Sequence, residues 1–244
     1  MRATRRVVAS VIALGCVLVG ARPASAEWFA DLFVGPTFTR SEDVKIDGAA
    51  GRGTIRDVGF DTAVSGGVRF GRYFDAVPFL GVAVDGFLFY PNIAPQSARF
   101  DGCFIGVGGA CGTRQGGTGS FDISTAAISF DVMLRPPLFK TPEAPRGLVQ
   151  PYITAGVPLF LTTIDPRNTR LFRNHDSETD ISIGYMAGGG VAIEVYKNLA
   201  LFAEYRFNHV SVDADLRDSV SAAKATFRTD LNSHSTLIGI SARW

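Results

Sequence analysis

Gly184-Tyr-Met-Ala-Gly-Gly-Gly-Val-Ala-Ile-Glu-Val-Tyr-Lys-Asn-Leu-Ala-Leu-Phe-Ala-Glu-Tyr-Arg-Phe-Asn208 reads as two long strands joined at Lys197-Asn198. Alternate residues of a strand point to opposite faces. Tyr185, Ala187, Gly189, Val191, Ile193 and Val195 therefore share a face, opposite Met186, Gly188, Gly190, Ala192 and Glu194. In the second strand Leu199, Leu201, Ala203, Tyr205 and Phe207 lie together, opposite Glu204, Arg206 and Asn208. One face is apolar and the other small or charged. A soluble sandwich alternates too, with its apolar face in the core, so the rest of the chain decides which face is interior.

Residues 1–26 read as a secretory signal. Arg2, Arg5 and Arg6 are basic, Val7 to Gly20 is apolar, and Ala24-Ser25-Ala26 is a small-residue cleavage site. The apolar run is shorter than the ~20 residues that span a bilayer, and Cys16 lies in its middle, which disfavours a lipoprotein site. Cleavage after Ala26 leaves one domain, residues 27–244. It removes four of 24 basic residues and none of 23 acids, giving a net charge of −3. Nucleic-acid partners call for clustered positive charge, and none is expected here. Cys103 and Cys111 remain, an even count in an exported chain, which favours a disulfide clip on a glycine-rich loop.

Six more alternating segments complete the count: 27–39, 60–73, 79–90, 125–135, 148–163 and 235–244. The third is less regular, because Phe79, Phe87 and Phe89 share the parity of Asp85. Stretches 40–57, 91–124, 164–179 and 212–228 read as long loops, and the connections after strands two, four and six are shorter. No segment has helical periodicity. Long outer loops alternating with short periplasmic turns fit a membrane barrel. The expected fold is all-β: an eight-stranded antiparallel up-and-down transmembrane barrel.

The polar faces support that orientation. They carry small residues punctuated by Asp31, Arg69, Asp85, Asp131, Arg135, Glu194, Glu204, Arg206 and Arg243. An eight-stranded barrel is just wide enough to be filled by side chains, and unpaired charge inside it would be costly. Arg69, Asp85, Asp131, Glu194, Glu204, Arg206 and Arg243 are therefore expected to form a lumenal ion-pair network. Trp28, Tyr73, Tyr90, Tyr185, Tyr196, Tyr205 and Trp244 fit interfacial girdles.

The Gly188-Gly-Gly-Val-Ala-Ile-Glu-Val-Tyr-Lys-Asn-Leu-Ala-Leu-Phe-Ala-Glu-Tyr-Arg-Phe207 hairpin resembles the penultimate hairpin of the OmpA-type, opacity-protein-like family of outer-membrane barrels. The terminal Trp244, closing an alternating strand, resembles the assembly signal of such barrels. The resemblance implies the outer membrane of a Gram-negative bacterium. The partners it implies are membrane lipid, lipopolysaccharide and the barrel-assembly machinery. It also implies a structural or adhesive role, with a host or surface ligand held by the four long loops, and no catalysis.

One constellation suggests chemistry. In Asn208-His209-Val-Ser211-Val-Asp213, His209, Ser211 and Asp213 share the outward parity. The His-x-Ser pair resembles lipid A deacylases, in which a general base activates a hydroxyl nucleophile. Those enzymes have asparagine after the serine, where Val212 stands here, and the acid would be Asp230 or Glu178. A polar strand end at the headgroup boundary explains the same residues without chemistry. His175 and His234 lack metal-ligand spacing, and neither metal nor cofactor is expected. A narrow pore is a third reading, opposed by the filled lumen.

Overall fold

Why the alternating segments become strands is visible in their burial. In β1 (Trp28–Thr39), Phe29, Asp31, Phe33, Thr37 and Thr39 are buried while Leu32, Val34 and Phe38 are exposed. The computed structural model describes residues 27–48, 51–104, 111–117, 120–136, 138–140, 147–167, 178–217 and 224–244. The proposed signal segment, His175 and most of the 136–147 turn lie outside the described residues.

Eight strands form the barrel: β1, β4 (Ala63–Tyr73), β5 (Leu80–Phe89), β8 (Ser120–Leu134), β9 (Val149–Arg167), β10 (Glu178–Tyr196), β11 (Leu199–Arg217) and β12 (Lys224–Arg243). Each pairs antiparallel with the next, and β12 returns to β1. The β10–β11 turn is Lys197-Asn198, as expected. Following paired residues around the wall runs Phe29, Gly71, Ala83, Asp131, Gly156, Met186, Asn208, Ser233 and back to Thr39. The circuit closes ten residues above its start, the shear that tilts eight strands by about 40°. Trp28 and Trp244 exchange backbone hydrogen bonds of 2.9 and 3.0 Å at the base of the seam.

The barrel is inside-out by the standards of a soluble protein. Val68, Phe130, Ile183 and Ile238 face outward at 47%, 68%, 73% and 62% exposure, whereas Arg69, Asp85, Glu204 and Arg206 are at most 2% exposed. A continuous apolar belt of this size cannot face water. A closed barrel pairs its strands all the way round and leaves no open edge, so lipid can be its solvent.

Two expectations are corrected. Among the described residues the stretches expected as long loops are largely strand: β2 (Glu42–Gly48), β3 (Gly51–Val58), β6 (Ser97–Phe104) and β7 (Cys111–Gly117) continue the sheet outward from the upper end of β12, in the order β12-β2-β3-β6-β7, and residues 105–110, 168–177 and 218–223 lie outside the described residues. Strands β8 to β12 also run beyond the expected limits. The physical reason is a second small core, in which Val44, Ile46, Val58, Ile93 and Ile123 pack above the barrel mouth. Second, Tyr73 belongs to no girdle. It is buried beneath the Arg135 guanidinium, 3.7 Å from its ring centroid, because it shares the inward parity of Arg69. Phe87 and Phe89 point inward with Asp85, as their shared parity predicts, and Phe87 packs edge-on against Phe160 at 6.0 Å.

Candidate functional site

Seven inward residues were expected to form one ion-pair network. Four of them meet at mid-barrel. The Arg69 guanidinium, on β4, donates to both carboxylate oxygens of Glu204, on β11, at 2.9 and 3.0 Å, and to Asp85 at 3.2 Å. Arg206 donates to Asp85 and to Glu204, both at 2.8 Å. Asp31 joins them 3.4 Å from Arg69, and the Tyr152 hydroxyl donates to Glu204 at 2.8 Å. Glycine at 190 is required here: a Cβ would lie 2.8 Å from the Tyr152 ring and 2.3 Å from the Ala203 carbonyl.

Two guanidiniums thus face three carboxylates in a buried interior, and the rings of Phe33 and Phe87 lie 4.7 and 5.3 Å from Arg206. Buried charge persists only when paired and hydrogen-bonded. Asp31 Oδ1 has no partner among the described residues, and it borders a cavity of about 20 Å³, the size of a water.

The other three expected members lie elsewhere. Asp131 accepts from Ser129 on its own strand and makes no ion pair among the described residues. Glu194 and Arg243 belong to a separate cluster near the base. There Arg243 donates to Gln150 and approaches Glu27 at 3.8 Å, Gln150 reaches Glu194 at 3.5 Å, and Arg135 binds Glu27 at 2.6 Å. Parity identifies inward residues, but tilt decides which of them share a height. Above the mid-barrel cluster the lumen is closed by Phe160, Met186, Val210 and Leu231 and by hydroxyl bridges such as Thr37–Ser235 at 2.7 Å.

The outward pair is separated by its hydrogen bonds. The Ser211 hydroxyl donates to Asp230, directly opposite on β12, at 2.6 Å. His209 Nδ1 meets Asn232 Oδ1 at 2.8 Å, and Asn232 Nδ2 donates to Glu42 at 2.7 Å. No bond joins His209 to Ser211 among the described residues, so the base–nucleophile pairing of a serine hydrolase is not assembled. Of the two candidate acids, Asp230 occupies the serine rather than the histidine, and the Glu178 side chain lies outside the described residues; Asp213, on the same parity, pairs with Arg228 at 3.0 Å.

Beyond the membrane, Cys103 and Cys111 sit opposite one another on β6 and β7 and are joined, with Cα atoms 4.1 Å apart. Arg56 binds Asp101 across β3 and β6. Hydrogen bonds from Thr113 and then Arg56 hold the Asp101 carboxyl below its ordinary value. Gln96 clasps the two upper hairpins, accepting from Gly59 N at 2.9 Å and donating to Gly59 O at 2.8 Å.

No family model and no curated protein matches the chain. Among solved structures it is similar to the outer membrane protein OprG of Pseudomonas aeruginosa, at 12% identity and TM-score 0.54, over 88% of this chain and 95% of that one. It is also similar to the outer membrane protease OmpT of Escherichia coli, at 9% identity and TM-score 0.51, over 93% and 99%. Neisserial surface protein A matches at 16% identity and TM-score 0.49, over 89% and 96%. The likeness to OprG and OmpT is one of fold: a membrane-spanning antiparallel barrel.

Proposed function

We propose that this is an outer-membrane barrel of a Gram-negative bacterium with a structural or adhesin-like role, working through its extracellular sheet without catalysis. The observation that carries this reading is the contrast between interior and exterior. The lumen is filled at mid-height by fully buried Arg69 and Arg206 bound to Asp85 and Glu204, which opposes a pore. Outside, four further strands and a disulfide build a folded surface out of what would otherwise be slack loops. Ordering such segments costs conformational entropy, a cost that suits a surface meant to be recognised. Membrane lipid and lipopolysaccharide would surround the belt, and Trp244 would engage the assembly machinery.

The test is replacement of residues 97–117 by a short Gly/Ser linker in cells displaying the protein, with attachment to glycan and matrix surfaces as the readout. Attachment is expected to vanish while the barrel stays in the outer membrane; unchanged attachment refutes the adhesive role. The esterase reading has one observation in its favour, the orientation of His209 by Asn232. Mass spectrometry of lipid A from cells carrying the protein or its Ser211→Ala variant decides it, and identical acylation in both is expected.

A further inference from the structure

The two sulfurs that clip the extracellular sheet have unlike surroundings. Both cysteines are exposed and stand directly opposite one another, so the S–S bond runs across the ladder from β6 to β7. Beyond Cys103, Arg52 holds the directly opposed position on β3, where Cβ atoms lie about 4.5–5.5 Å apart. Beyond Cys111 the sheet stops: β7 pairs with β6 alone among the described residues. Gly112 and Thr113 are exposed beside it, and a Cβ at Gly112 would meet nothing within 4 Å.

Thiol–disulfide exchange is a displacement at sulfur, and access decides which sulfur is attacked. The incoming thiolate approaches along the S–S axis, from behind the sulfur it will bond. At Cys103 that line runs into β3 and Arg52; at Cys111 it leaves the sheet through the edge of β7. The leaving sulfurs differ too. A cation beside a thiolate lowers its basicity, and a less basic thiol leaves faster. Arg52 binds Asp47 at 2.8 Å, with both side chains exposed, and such a surface pair holds its partners weakly. A guanidinium has five N–H donors, so Arg52 meets a thiolate on Cys103 without releasing Asp47.

The hairpin is also held without its cross-link. Two residues from Cys103 on the same face, Asp101 accepts from Arg56 on β3 and from Thr113, opposite it on β7. These bonds tie β3, β6 and β7 together. Opening the disulfide therefore leaves Cys103 beside Arg52 and Cys111 opposite Cys103.

We propose that Cys103–Cys111 is a thiol-acceptor site, at which a small aliphatic thiol attacks Cys111 and Cys103 is the leaving group. The thiol first gives its proton to water. Its sulfur bonds to Cys111 Sγ, the bond between Cys111 and Cys103 breaks, and the electron pair stays on Cys103 Sγ, which Arg52 steadies until it takes a proton from water. One disulfide replaces another, so no separate oxidant or reductant takes part. Return of Cys103 to Cys111 releases the thiol and restores the clip. The site goes beyond the adhesive reading and does not depend on it.

The test exposes the full barrel in lipid vesicles briefly to 2-mercaptoethanol, an uncharged thiol. Acid quenching, maleimide alkylation and peptide mapping by mass spectrometry then show which sulfur was attacked. Mercaptoethanol on Cys111 with maleimide on Cys103 is expected to exceed the reverse arrangement about tenfold or more. Arg52→Gln is expected to slow the adduct severalfold, and Asp47→Asn, which leaves the guanidinium to Cys103, to speed it. Arg99→Gln removes an exposed cation from β6 away from the cysteines and is expected to change nothing. Equal attack on the two sulfurs, preference for Cys103, or no adduct at thiol concentrations that open the disulfide of a short cyclic peptide overturns the inference. Equal rates in Arg52→Gln and the unaltered protein, or equal slowing by Arg99→Gln, overturns it too. Migration of unheated samples in gel electrophoresis shows that each variant is folded. Attachment of cells is not read in this test, so its failure leaves the adhesive reading standing.

Discussion

Arg69 is held by carboxylates from three other strands, Asp31 on β1, Asp85 on β5 and Glu204 on β11. Replacing it by methionine leaves three buried acids facing Arg206 alone. Arg69→Met is therefore expected to cost about 3–5 kcal/mol, read as a lower urea midpoint for unfolding from lipid vesicles. Arg69→Met combined with Glu204→Met is expected to recover much of that loss, because the two residues share the interaction and their effects are not additive. At this scale the sequence is legible through parity: every residue of the mid-barrel cluster has the inward register of its strand. Tyr73 was legible too, lying four residues from Arg69 on the same parity, but its aromatic character at a strand end suggested a girdle. Partner choice was not legible. Arg69 and Glu204 are 135 positions apart, and only the ten-residue shear sets them at one height.

The barrel strands announce themselves because each alternates over ten or more residues. The extracellular strands are short, rich in glycine and charged on one face, so they resemble loop. Their trace was present in Val44-Lys45-Ile46-Asp47, where Val44 and Ile46 are buried and Lys45 and Asp47 exposed. The β6–β7 hairpin lacks such a trace and depends on its cross-link. With the cysteines eight positions apart, the loop-entropy model gives the disulfide about 2–3 kcal/mol. Cys103→Ser with Cys111→Ser is expected to leave the barrel's urea midpoint in place while speeding proteolytic cleavage within 97–117 severalfold, followed by limited digestion of intact cells. An equal loss of barrel stability would mean that the two storeys unfold as one unit.

As a whole, the molecule couples a lipid-solvated barrel to a water-solvated sheet through one continuous network of hydrogen bonds. A closed barrel without free edges resists detergent, so the folded protein is expected to migrate apart from its boiled form in gel electrophoresis; one migration position for both samples would contradict the fold in solution. The strand that links the two storeys is β12, which closes the seam against β1 below and pairs with β2 above. Tension applied to the extracellular sheet therefore enters the barrel along the axis of its closing strand. It loads the β1–β12 and β11–β12 ladders in shear, many hydrogen bonds at once, instead of peeling them one by one. That geometry anchors a surface-exposed sheet mechanically, so that a cell held by it would strain its own hold before it opened the wall.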